Sequence, residues 1–152
     1  MKKTISVLLV LVSLLSMISI SAFAASGAEN DEMIYLEDGS YIVVTTEPSL
    51  ARAANTVTGS KVYTCYGENN NVLWKATLTA TFAYSGAWYT CTTANCNVAI
   101  YSSYWRVADK DTVGTGSCAI TNLTMERVVS GKIQDTISCQ IKLNCDSNGN
   151  IT

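Results

Sequence analysis

Val72-Leu73-Trp74-Lys75-Ala76-Thr77-Leu78-Thr79-Ala80-Thr81-Phe82-Ala83-Tyr84 decides the fold class. Val72, Trp74, Ala76, Leu78, Ala80, Phe82 and Tyr84 share one parity, while Lys75, Thr77, Thr79 and Thr81 share the other. In a strand, successive side chains point to opposite faces, so this period of two predicts a long β-strand with one buried and one wet face.

Working outward, residues 133–145 repeat the pattern. Ile133, Ile137, Cys139, Ile141, Leu143 and Cys145 fall on one face and Gln134, Thr136, Ser138, Gln140, Lys142 and Asn144 on the other. Asp135 is the single polar residue on the apolar parity. Turn residues separate the strands. Gly67-Glu68-Asn69-Asn70-Asn71 divides 57–66 from 72–84, Ser85-Gly86 leads into 87–93, and Ser130-Gly131 joins 117–128 to 132–145. Asp109 to Thr115 reads as a looser connection. No segment after the N-terminal leader shows helical spacing with helix-forming residues, and Thr, Val, Tyr and Ile favour strands. Six or so strands joined largely by hairpins predict an all-β fold, an antiparallel β-sandwich that is immunoglobulin-like in general architecture.

The chain before Val57 is different. Met33 to Thr46 reads as a β-hairpin, with Asp38-Gly39 between two β-prone arms. Residues 47–55 hold the only proline, Pro48, and read as a linker. Ahead of them, Met1-Lys2-Lys3, the apolar run from Ile5 to Ile20 and Ala22-Phe23-Ala24 have the form of a secretory signal peptide over 1–24, which predicts a mature start at Ala25. No later stretch is apolar for the ~18 residues that a membrane helix needs. The expected organisation is therefore a leader (1–24), an acidic segment with hairpin and linker (25–56) and a sandwich domain (57–152). The expected location is outside the cell.

Residues 25–56 carry six acids against one base, Arg52, and residues 57–152 carry seven bases against six acids. A near-neutral domain with scattered charge lacks the basic footprint of a nucleic-acid binder. All six cysteines (Cys65, Cys91, Cys96, Cys118, Cys139, Cys145) lie after Val57. An even count in an exported chain reads as disulfides. Zinc is the poorer reading, with neither a CxxC pair nor a histidine present. Counting leaves fifteen pairings open. Cys139 and Cys145 lie on one face about 20 Å apart, so each must reach another strand. One compatible assignment joins Cys91 to Cys145, Cys118 to Cys139 through a bulge or a diagonal bond, and Cys65 to Cys96.

The absence of histidine removes Ser-His-Asp and Cys-His catalysis. Paired carboxylates remain an option for glycoside hydrolysis. Among the acids, Glu126 and Asp135 on facing hairpin arms are the pair to consider, but Arg127 and Lys132 beside them favour a solvated charge pattern. Ser60-Lys61 and Ser130-Gly131-Lys132 lie at turns or edges, with no pocket implied. Asp146-Ser147-Asn148-Gly149-Asn150 lacks the twelfth-position glutamate of a calcium loop and reads as an Asn-Gly turn at a frayed terminus. No catalytic residue, metal or cofactor is expected. The aromatic cluster carries the functional expectation: Trp88, Tyr89, Tyr101, Tyr104 and Trp105, with Tyr84, fall within 22 residues. Neighbours on a strand point to opposite faces, so some rings are exposed and could stack on sugars or anchor a protein.

The runs Tyr35-Leu36-Glu37-Asp38-Gly39-Ser40-Tyr41-Ile42, Val57 to Tyr63, Val72-Leu73-Trp74, Ala80 to Gly86 and Leu143 to Gly149 resemble a group of small secreted all-β proteins of Gram-positive bacteria with no assigned role. The resemblance covers most of the mature chain and implies no activity. In that group cysteines matching Cys91 and Cys145 recur, which the resemblance turns into support for pairing them. The expectation is a secreted, non-enzymatic module binding a glycan or protein at the cell surface around Trp88 and Trp105. The alternative is an antimicrobial or toxin-like effector whose acidic segment is removed near Arg52. A hydrolase using Glu126 ranks third.

Overall fold

The computed structural model describes residues 32–47, 52–53 and 55–152, with only the backbone of Arg52 and Ala53. The leader, the Ala25 start and most of the linker lie outside the described residues. Nine strands occur among the described residues: β1 (Glu32–Tyr35), β2 (Tyr41–Glu47), β3 (Arg52–Ala53), β4 (Thr56–Tyr66), β5 (Val72–Tyr84), β6 (Tyr89–Ile100), β7 (Trp105–Thr115), β8 (Cys118–Val129) and β9 (Lys132–Asn144). They make two antiparallel sheets, β1-β2-β4-β5-β6 with β3 laid against β4, and β7-β8-β9. No helix occurs among the described residues.

Alternation in β5 does what its sequence predicts. Trp74, Ala76, Leu78, Ala80 and Phe82 are buried, and the threonines between them are half-buried on the outer face. Thr58 and Ser60 of β4 meet Thr81 and Thr79 there, with hydroxyl oxygens 2.8 and 3.0 Å apart. Ala119, Leu123, Met125, Ile141 and Leu143 of the second sheet complete the core from the other side. β2 pairs with β4 from Tyr41↔Tyr66 to Glu47↔Ser60, so the N-terminal hairpin and the later strands form one sheet. Ile42 and Val44 thereby join the core.

Three expectations are corrected. The two-sheet architecture holds, but, β3 aside, the strands of each sheet lie side by side in chain order, so the Greek-key order of an immunoglobulin domain is not present among the described residues. Asp109–Thr115 is not a loose connection but the larger part of β7. As an edge strand with nearly every side chain exposed, and a bulge between Val107 and Asp109, it carries no burial alternation to read. Third, all six cysteines are thiols. Register explains two of the pairings. Cys118 lies opposite Asn144 while Cys139 lies opposite Leu123, five places along the hairpin. That is roughly 17 Å, far beyond disulfide reach. Cys65 and Cys96 sit on opposite sides of β5, level with Trp74 and Leu78, and two strand spacings of about 4.8 Å put that pair out of reach as well. Cys91 and Cys145 donate their backbone N–H groups to consecutive carbonyls of one turn, Gly116 (2.6 Å) and Ser117 (2.8 Å), without a bond between their sulfurs.

The C-terminal residues are not frayed. Cys145 and Ile151 form an antiparallel bridge, and Asn144 and Thr152 exchange hydrogen bonds of 2.8 and 3.0 Å. Ile151 packs into the space above Gly59, where a Cβ would stand 2.7 Å from its Cγ2. Gly149, at φ +80°, lets Tyr84 lie against the backbone.

Candidate functional site

In an up-and-down meander alternate turns gather at the same end. The Leu36–Ser40, Gly67–Asn71, Tyr101–Tyr104 and Ser130–Gly131 connections therefore meet at one end of the sandwich, and Ser85–Trp88, Gly116–Ser117 and the C-terminal residues at the other.

At the first end the first three of these loops are tied to their neighbours. Gly39, at φ +81°, turns the first hairpin and lies under Glu68, whose Oε1 is 3.0 Å from where a Cβ would be. The Tyr41 hydroxyl donates to Asn70 Oδ1 at 2.9 Å. Leu73's carbonyl accepts from both Tyr101 and Ser102 (3.0 and 3.1 Å), and Tyr104's carbonyl accepts from Val128 at 2.7 Å. The 101–104 loop thus spans from one sheet to the other.

Between these loops opens a cleft of about 450 Å³, whose polar lining is Asp38, Ser40, Glu68, Asn69, Asn71, Ser102 and Arg127, with Tyr104, Trp105 and Leu73 supplying apolar wall. Burial alone would raise the Asp38 pKa. The Ser40 hydroxyl and N–H, and then the Arg127 guanidinium, outweigh it and hold the carboxyl below its ordinary value. Arg127 Nε donates to Asp135 Oδ2 at 2.6 Å across the β8–β9 ladder. A second, smaller groove of about 310 Å³ lies on the other side of Asp38, bounded by Leu36, Glu37 and residues 135–138 of β9.

The aromatic residues are divided rather than brought together. Tyr101 (63% exposed) and Tyr104 (58%) stand at the cleft end. Trp105 is 4% exposed and belongs to the core, its ring centroid 6.5 Å from that of Trp74, so its face is not offered to a ligand. Trp74 beneath it has a buried Nε1 with no hydrogen-bond partner. Trp88 and Tyr89 are exposed at the far end of β6, roughly 36 Å away at 3.3 Å per residue. Tyr35, Tyr41 and Tyr66 form an unforeseen aromatic row, with centroid separations of 6.1 and 5.1 Å.

Glu126 and Asp135 do not meet. Glu126 takes Arg106 Nε (2.9 Å) and Nη2 (2.6 Å) on one face, and Asp135 takes Arg127 on the other. Two of the thiols are poor nucleophiles: burial pushes Cys65 up to about 12 and Cys139 up to about 11, which keeps both protonated. Among the described residues no group of three or more potential ligands could hold a metal ion, and no helix is long and apolar enough to cross a membrane. Asp38, Ser40, Asn69, Asn71, Ser102 and Arg127 were not singled out by sequence; alternation of turns in a meander was the signal that could have gathered them. No family model, curated protein or solved structure matches this chain.

Proposed function

We propose that this chain is an exported, non-enzymatic module that binds a glycan in the cleft between the Leu36–Ser40, Gly67–Asn71 and Tyr101–Tyr104 loops. The observation that carries this reading is the pairing of an exposed tyrosine with a ring of short planar and hydroxyl groups. Tyr104 stands at the wall of a cleft furnished by Asn69, Asn71, Ser102 and Asp38. A sugar presents a flat C–H face and a periphery of hydroxyls, and a phenol ring beside amides, hydroxyls and a carboxylate complements both. Ties between the loops hold these groups in place before a ligand arrives, which lowers the ordering cost of binding. Export rests on the leader pattern of residues 1–24.

The effector reading is less favoured because a segment removed near Arg52 would carry β1 and β2 away from β4, and with them Ile42 and Val44 of the core.

A glycan array probed with the whole chain tests the proposal. One or a few related glycans should bind, and Tyr104→Ala should weaken that binding by roughly tenfold or more while leaving the fold intact. Equal affinity of the alanine variant for every glycan bound would remove the cleft from consideration.

A further inference from the structure

A second surface reaches beyond the glycan cleft. We propose that the open edge of β9 between Thr136 and Lys142 accepts an extended, basic peptide segment as a fourth strand of the second sheet.

The two sheets are unequal. β9 lies over β4 and β5, while β1 and β2 continue the first sheet past it. Beside β9 there is accordingly a shelf with no strand opposite among the described residues. The lower end of that edge is already used in this way: Asn144 gives its N–H to Thr152 (2.8 Å) and accepts from Thr152 (3.0 Å). Alternate residues of an antiparallel strand turn their peptide groups to the same side. Lys142, Gln140, Ser138 and Thr136 therefore face the same open side, where Gln140's carbonyl accepts from the Tyr63 hydroxyl at 3.3 Å. An added strand would continue upward the pairing that Thr152 begins.

The shelf selects its occupant. A second copy approaching β9 edge to edge would bring its own projecting β1 and β2 on the same side as those already there, and the two overhangs would collide. A single strand meets no such obstacle. At the upper mouth of the groove stand Glu37, Asp38 and Asp135. Asp135 is taken by Arg127 and Asp38 by the Ser40 hydroxyl and N–H, which leaves the Glu37 carboxylate to favour a cationic side chain. Inward-pointing side chains of the added strand would land on Leu36 and Ile137, and Ile34, 37% exposed beside buried Ile42, would be covered. Backbone bonds supply affinity and these contacts supply selectivity, as in strand addition elsewhere.

The test uses the whole chain and an acetylated heptapeptide alternating valine and threonine with lysine at one end. Amide exchange followed by NMR should slow at Thr136, Ser138, Gln140 and Lys142 when the peptide is added. The same peptide N-methylated on alternate amides, or one ending in glutamate, should bind roughly tenfold more weakly. Ser138→Pro should abolish binding, because the N–H it removes faces the groove and not β8. Unchanged exchange at these four amides overturns the proposal, as does protection appearing only on β1. Equal affinity for the N-methylated peptide overturns it without requiring any variant to fold.

Discussion

The two ends of this sandwich are built from the same strands and come out unlike. At one end the C-terminal residues fold back as a bridge, Ile151 fills the space over Gly59, and the Asp146 carboxylate collects the N–H groups of Asn148 and Asn150 at 2.8 Å each. At the other, loops are tied to one another but leave a cleft between them. One end spends its polar groups on itself and closes the core. The other keeps amides, hydroxyls and a tyrosine ring turned toward solvent. The groups that close the core and those left turned toward solvent are thereby separated in space.

Variants at the two ends should behave accordingly. Removing residues 146–152 should have the largest effect, lowering stability by about 3 kcal/mol through the loss of Ile151 and the bridge, as read from the urea midpoint. Gly59→Val should cost about 2 kcal/mol in the same assay, because its Cβ cannot share the space with Ile151. A smaller effect attaches to pH. The backbone N–H and side-chain amide of Asn150, followed by the N–H of Asn148, hold Asp146 below the ordinary carboxylate value. A lowered carboxyl stabilises the fold above its unfolded value, near 3.9, and that contribution is lost as pH falls through the folded value. Asp146→Asn should therefore flatten the acid limb of the stability curve, and an unchanged limb would detach the carboxylate from the seal. Tyr104→Ala should change stability least, by under about 0.5 kcal/mol, since its ring is mostly in water.

The strands were legible because burial on one side imposes a period of two. β5 runs from Val72 to Tyr84 as its alternation predicts, and β8 and β9 lie within a residue of their expected bounds. β7 was not legible, since an edge strand with almost no buried side chain leaves no such trace. The continuation of β6 to Ile100 was missed for a related reason: its outward Asn95 and Asn97 resemble turn residues unless their neighbours Ala94 and Cys96 are seen to be inward. The site was only partly legible. Tyr101 and Tyr104 were identified, but nearness in sequence grouped them with Trp88 and Tyr89, which a twelve-residue strand carries to the opposite end. Alternation put Cys139 and Cys145 on the apolar face of the last strand without giving their partners, because pairing depends on strand order, and parity says nothing about strand order.

Mapping the array's strongest glycan onto the chain by amide chemical shifts compares the two ends in a single titration. Movement at residues 68–71 and 101–105, with residues 85–90 and 146–151 still, is the outcome expected of an open recognition end and a closed structural one. Shifts centred on Trp88 and Tyr89 would place recognition at the sealed end and contradict the account.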